Sequence, residues 1–86
     1  MNWADLKTTN YFKEQVLRKR PYLKPDWCSD IINKELHKEI QEDGRLRYWG
    51  YISEENKYLR VITLEDKTLH NAFFDRNFKE KTNNEI

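Results

Sequence analysis

Between Arg45 and Leu64 apolar and polar positions alternate in a way that predicts a β-hairpin: RLRYWGYI, a turn SEEN, then KYLRVITL. Successive side chains of a strand point to opposite sides. Leu46, Tyr48, Gly50 and Ile52 therefore share one face, and Arg45, Arg47, Trp49 and Tyr51 share the other. With Ser53 to Asn56 as the turn, Ile52 sits opposite Lys57, Gly50 opposite Leu59 and Tyr48 opposite Val61. That face is apolar. On the second face Tyr51 meets Tyr58, Trp49 meets Arg60 and Arg47 meets Ile62, so it mixes rings with guanidinium groups. A slip of one residue would blend the two sets.

The flanking segments change period. Phe12 and Val16, with Leu17 and Tyr11, repeat at helical spacing and predict a first helix from Asn10 to about Arg20, capped by Thr9 or Asn10. Pro21 stops it, because the residue before a proline is pushed out of the α region. Pro25 suits the first position of a second helix that ends near Asn33 to Leu36, with Trp27 and Ile31, and Cys28 and Ile32, turned to the core. His37 to Gln41 reads as a short strand, joined to the hairpin by the turn dipeptide Asp43-Gly44. Thr68 to Phe74 reads as a last strand. A three-residue turn after Leu64 pairs Ile62 with His70, and puts His70 and Ala72 on the arginine face and Leu69, Asn71 and Phe73 in the core. A two-residue turn puts Asn71 on that face instead; the first option is preferred because it buries Leu69 and Phe73 together. Asp75 to Phe78 is expected to dock back through Phe78. The fold class is α+β: two N-terminal helices packed on a three- to four-stranded antiparallel sheet, one domain over 10–78. A weakly ordered lead over 1–9, where Trp3 and Leu6 can dock, precedes it, and a polar tail over 79–86 follows.

Composition sets limits on this picture. Charged residues make up 36% and aromatic residues 14%; the rings argue against disorder and supply the bulk that aliphatic side chains supply in larger cores. Net charge is +1, which alone implies no polyanionic partner. Its distribution says more: residues 1–24 carry six basic and two acidic side chains, and residues 25–44 carry two basic and six acidic. A basic first segment beside a mixed sheet could hold nucleic acid; two solvated helices of opposite sign explain the same pattern. Arg18, Lys19 and Arg20 also suit the last turn of a helix, where the dipole favours cations. Cys28 is the single cysteine, so no internal disulfide forms, and its apolar neighbours point to a buried thiol. No apolar run approaches the ~20 residues of a membrane helix, and the first residues have no signal-peptide core. A cytoplasmic protein without membrane association is expected.

The candidate chemistry lies on the arginine face. Arg47, Arg60 and His70, with Trp49, suit cleavage of a ribose phosphodiester, which needs cations on the phosphate and groups that move protons. Trp49, Tyr51 and Tyr58 can stack unpaired bases, and Arg18, Arg20 and Arg76 can extend the surface at its rim. The same residues also suit plain cross-strand packing. Cys28, His37 and His70 lack zinc spacing, and Gly44 and Gly50 form no phosphate loop, so neither metal nor cofactor is implied. Gly50 inside a strand marks a bulge or a close backbone approach. Glu54-Glu55, at the hairpin tip, is expected to be solvated.

The segments VLRKRPYL, DGRLRYWGYI and KYLRVITLEDKTLHNAFFDRNFK, spanning about 11–79, resemble a group of small bacterial proteins common in cyanobacteria. That group is distantly similar to ribonuclease toxins of the BrnT and RelE type. The resemblance implies a metal-independent endoribonuclease of a toxin–antitoxin pair, with RNA over the open sheet face and a small antitoxin protein as partner. It places Arg47 and Arg60 at basic strand positions and His70 or Arg76 at a late acid/base or phosphate position. The alternative is a non-catalytic protein-interaction module on the same fold, with Trp49, Tyr51 and Tyr58 as its contact residues.

Overall fold

The alternation between Arg45 and Leu64 folds as it reads. A computed structural model describes residues 6–78; Trp3 and the tail from Lys79 lie outside the described residues. The order is two helices followed by four strands. Helix α1 starts at Asn10, passes through a π-helical stretch, Phe12–Val16, and ends as an α-helical turn, Leu17–Lys19. Thr9 caps it: its Oγ1 accepts the Phe12 N–H at 3.1 Å. Helix α2 is Pro25–Asn33, with the proline in its first turn. The strands are β1 (His37–Ile40), β2 (Leu46–Ile52), β3 (Lys57–Thr63) and β4 (Leu69–Phe74). They form one antiparallel sheet in the order β1-β2-β3-β4.

The β2–β3 register is the expected one, from Ile52 opposite Lys57 to Arg47 opposite Ile62. Both helices cover the apolar face. Phe12 and Val16 from α1, and Trp27, Cys28, Ile31 and Ile32 from α2, pack onto Tyr48, Leu59, Val61 and Leu69. Gly50 is where α2 comes closest: a Cβ there would stand 2.6 Å from the Ile31 Cγ1. Its single hydrogen is therefore what seats the helix. Gly50→Ala is expected to destabilise the fold by about 1–3 kcal/mol through overpacking, read as a lower denaturant midpoint with an unchanged slope. Glu54 at the hairpin tip is solvated, as expected, and also ties the tip to α2. It accepts from Lys24 Nζ at 3.0 Å and from Trp27 Nε1 at 3.1 Å, and these bonds, that from Lys24 foremost, hold its carboxyl below the ordinary range.

The last strand departs from the expected register. The turn after Leu64 does have three residues: Thr68 O accepts Leu64 N–H at 2.9 Å, and Lys67 takes the left-handed φ of 69° that closes it. Thr63 then pairs with Leu69, but Ile62 pairs with Asn71. His70 is the extra residue of a β-bulge, and beyond it the parity reverses. Phe73 lies opposite Arg60 on the open face, while Ala72 is fully buried on the core side. The pairing of Ile62 with His70, and the burial of Asn71 and Phe73 beneath the helices, are therefore corrected. The physical reason is solvation: an unbulged strand would turn the Asn71 amide into the core, where an unpaired polar group costs several kcal/mol, roughly 2–7 by transfer scales. Ala72 takes that place.

The far edge of β4 is covered. Leu69 N–H donates to Lys7 O at 2.8 Å and Leu69 O accepts Thr9 N–H at 2.9 Å, so Thr8 runs parallel to β4. Among the described residues no helix is long and apolar enough to cross a membrane.

Candidate nucleic-acid interface

The sheet face away from the helices is ordered in rows by the strand register. Glu39, Arg47, Ile62 and Asn71 form one row; His37, Trp49, Arg60 and Phe73 form the next; Tyr51 and Tyr58 stand beyond. Arg47, Trp49 and Arg60 thus share one face, as the alternation requires.

Their partners change what they can do. Trp49 is only 4% exposed. Phe78 stacks on its indole with ring centres 5.2 Å apart, and His37 leans on it at 5.4 Å. Trp49 Nε1 donates to Asp75 Oδ2 at 3.0 Å. Arg60 donates to the same oxygen from Nε at 3.1 Å and from Nη2 at 2.6 Å. Its guanidinium also lies 5.3 Å from the Trp49 ring and 4.9 Å from that of Phe73. Burial alone would raise the Asp75 carboxyl, but the bonds from Trp49 and Arg60 outweigh it and hold the group below the usual carboxylate range. Arg60 is thereby neutralised, and no base can stack on Trp49 while Phe78 covers it. Asp75 is the member of this group that the sequence did not single out; Asp75 to Phe78 docks back through Phe78 as expected.

The other end of the face is less committed. Arg47 Nη1 stands 3.8 Å from Glu39 Oε1, a loose contact, and its buried Nε has no hydrogen-bond partner among the described residues. His70 stands at the bulge beside Asn71. Its Nδ1 is 3.1 Å from Thr9 Oγ1, and its ring stacks on Tyr11 at 5.0 Å. Partial burial, and then the positive charge of Arg45, push the imidazole below its ordinary value. This favours the neutral ring, the form a proton acceptor needs. In the tautomer whose Nδ1–H donates to Thr9 Oγ1, Nε2 is the basic atom.

No family model, curated protein or solved structure matches the chain. The reading of the face therefore rests on its own geometry.

Tyr51 is exposed and Tyr58 half-buried; their rings meet edge to face at 5.2 Å, and the Tyr51 hydroxyl donates to Asn56 Oδ1. Arg18 stands exposed in the last turn of α1. Arg20 lies 6.0 Å over the Phe73 ring. Arg76 is exposed and lines a groove of about 580 Å³ at the end of the sheet where β3 starts and β4 ends, with Tyr22, Tyr58, Phe73 and Phe78 among its walls. Cys28 takes no part in any of these groups. It is fully buried, and burial pushes its thiol up to about 12. A thiol reagent at pH 8 is expected to leave the native protein unmodified and to label it completely in denaturant, because the thiolate is the reactive form.

Proposed function

We propose that this protein is a metal-independent endoribonuclease of the toxin type, acting at the His70 end of the open sheet face. The reading is carried by one observation: the β-bulge leaves His70 unpaired at the edge of the sheet, beside Asn71, which lies in the row of Arg47, and Arg47 Nε has no hydrogen-bond partner among the described residues. In this mechanism the neutral His70 accepts the proton of a ribose 2′-hydroxyl. The 2′ oxygen attacks phosphorus, the bond to the 5′ oxygen breaks, and that oxygen takes a proton from water. The products are a 2′,3′-cyclic phosphate and a 5′-hydroxyl end. Arg47 and Arg45 stabilise the charge that builds on the phosphate. Arg60 contributes indirectly, through the fold around Asp75. A small antitoxin protein covering this face is the partner the reading implies.

The test is incubation of the purified chain with single-stranded RNA in the presence of a chelator, with product ends identified by mass spectrometry. Cyclic phosphate ends are expected. RNA left intact by folded protein would sink the reading, as would unchanged bacterial growth after induced expression. A second reading, a non-catalytic protein-interaction module, draws on the neutralised Arg60 and on the exposed ring of Tyr51 beside Tyr58. Salt separates the two: nucleic-acid binding weakens steeply as salt rises, and an aromatic protein contact weakens little.

A further inference from the structure

We infer that the groove at the end of the sheet is a subsite for an unpaired base of the RNA strand whose backbone is cut at His70. The inference rests on the ribonuclease reading and adds where the substrate is gripped. The groove, about 580 Å³, is the right size for a flat organic group. Three of its walls, Tyr58, Phe73 and Phe78, belong to the open face or to the segment docked on it, and aromatic faces stack bases of any sequence.

Charge selects the occupant. Lys57 and Arg76 stand at the rim, Lys57 with its ammonium 5.2 Å over the Phe74 ring. Arg20 adds a third cation above Phe73. Asp75 also lines the groove, but its charge is taken up by Arg60 and by the Trp49 N–H. Glu55, at the rim, leaves the balance positive. Rings walled by cations suit a base joined to phosphates better than an apolar side chain of a neutral peptide. The placement fits as well: Phe73 follows His70 along β4 by three residues, about 10 Å of extended chain. A strand lying along β4 would have its cleaved bond at one end and a held base at the other.

The deciding experiment uses a single-stranded hexadeoxynucleotide, which lacks the attacking 2′-hydroxyl and so reports binding apart from cleavage. Titrated into the full chain under NMR observation, it is expected to shift the amide signals of Lys57, Tyr58, Phe73 and Arg76. Lys57→Glu combined with Arg76→Glu, both surface changes, should weaken binding about tenfold or more, and high salt should abolish it. Shifts confined to Arg47, His70 and Asn71 would overturn the subsite and leave the ribonuclease reading standing. Cleavage of RNA with a silent groove would do the same. Preferential binding there of an acidic tryptophan-containing peptide would overturn it in favour of a protein partner.

Discussion

His70→Ala is expected to slow RNA cleavage by about 10²–10⁴-fold, the usual worth of a positioned proton acceptor, and to relieve growth arrest on expression. The fold should survive, because His70 is a half-buried residue on the rim of the sheet. Circular dichroism and the denaturant midpoint check that point. The pH dependence gives an independent signature. On the proposed reading the active form is the neutral imidazole, so the rate should fall as pH drops through the His70 pKa. Burial and Arg45 lower that pKa, so the acidic limb of the rate profile should lie below about 6.5, the ordinary histidine value. Arg45→Ala removes one of the two causes and should move the limb upward. A His70→Ala protein that still cuts would exclude His70 as the base.

Asp75→Ala should have the largest effect on stability. The Asp75 side chain is 8% exposed and that of Arg60 26%. Removing the carboxylate leaves a partly buried guanidinium and an indole N–H without their acceptor. The expected loss is about 3 kcal/mol, the lower end for a broken buried pair because Arg60 keeps some contact with water. For a fold held by roughly 0.05–0.15 kcal/mol per residue, that is a large share. Adding Arg60→Met should return much of it by removing the stranded charge. The acid response follows from the same group. Its folded pKa lies below the unfolded value of about 3.9. The stability it contributes is therefore complete above that value and is lost as pH falls through the folded pKa. Asp75→Asn should flatten this acid-side slope in urea titrations. An unaltered slope would assign the acid response to other carboxylates.

The hairpin was legible because both of its signals are local. Period-two alternation from Leu46 to Ile52 and a polar four-residue turn leave one register that keeps Tyr48, Leu59 and Val61 together, and that register forms. Helix limits were legible for the same reason, through Thr9, Pro21 and Pro25. What escaped depends on distant groups. The bulge at His70 answers a conflict between turn length and the burial of Asn71, and it shows only when β4 is laid against both β3 and the helices. Arg47, Trp49 and Arg60 were correctly given one face, since parity decides that. Their neutralisation was not readable, because Asp75 lies 26 residues from Trp49 and 15 from Arg60 in a segment with no periodicity of its own. The groove was invisible for a similar reason: Tyr22, Tyr58 and Phe78 come from three separate parts of the chain.

The parallel bridge between Thr8 and Leu69 carries a consequence in time. It joins positions near the two ends of the described chain, so it closes a loop of about sixty residues and bears the entropy of doing so. Contacts of this span come late in folding, after hairpins that close over a few residues. The hydrogen bond that orients the His70 ring comes from Thr9, in the same bridge. On the proposed reading, a polypeptide emerging from the ribosome would therefore remain inert toward RNA until its first residues had met its final strand. A nuclease that assembles its base last spares the template from which it is being made.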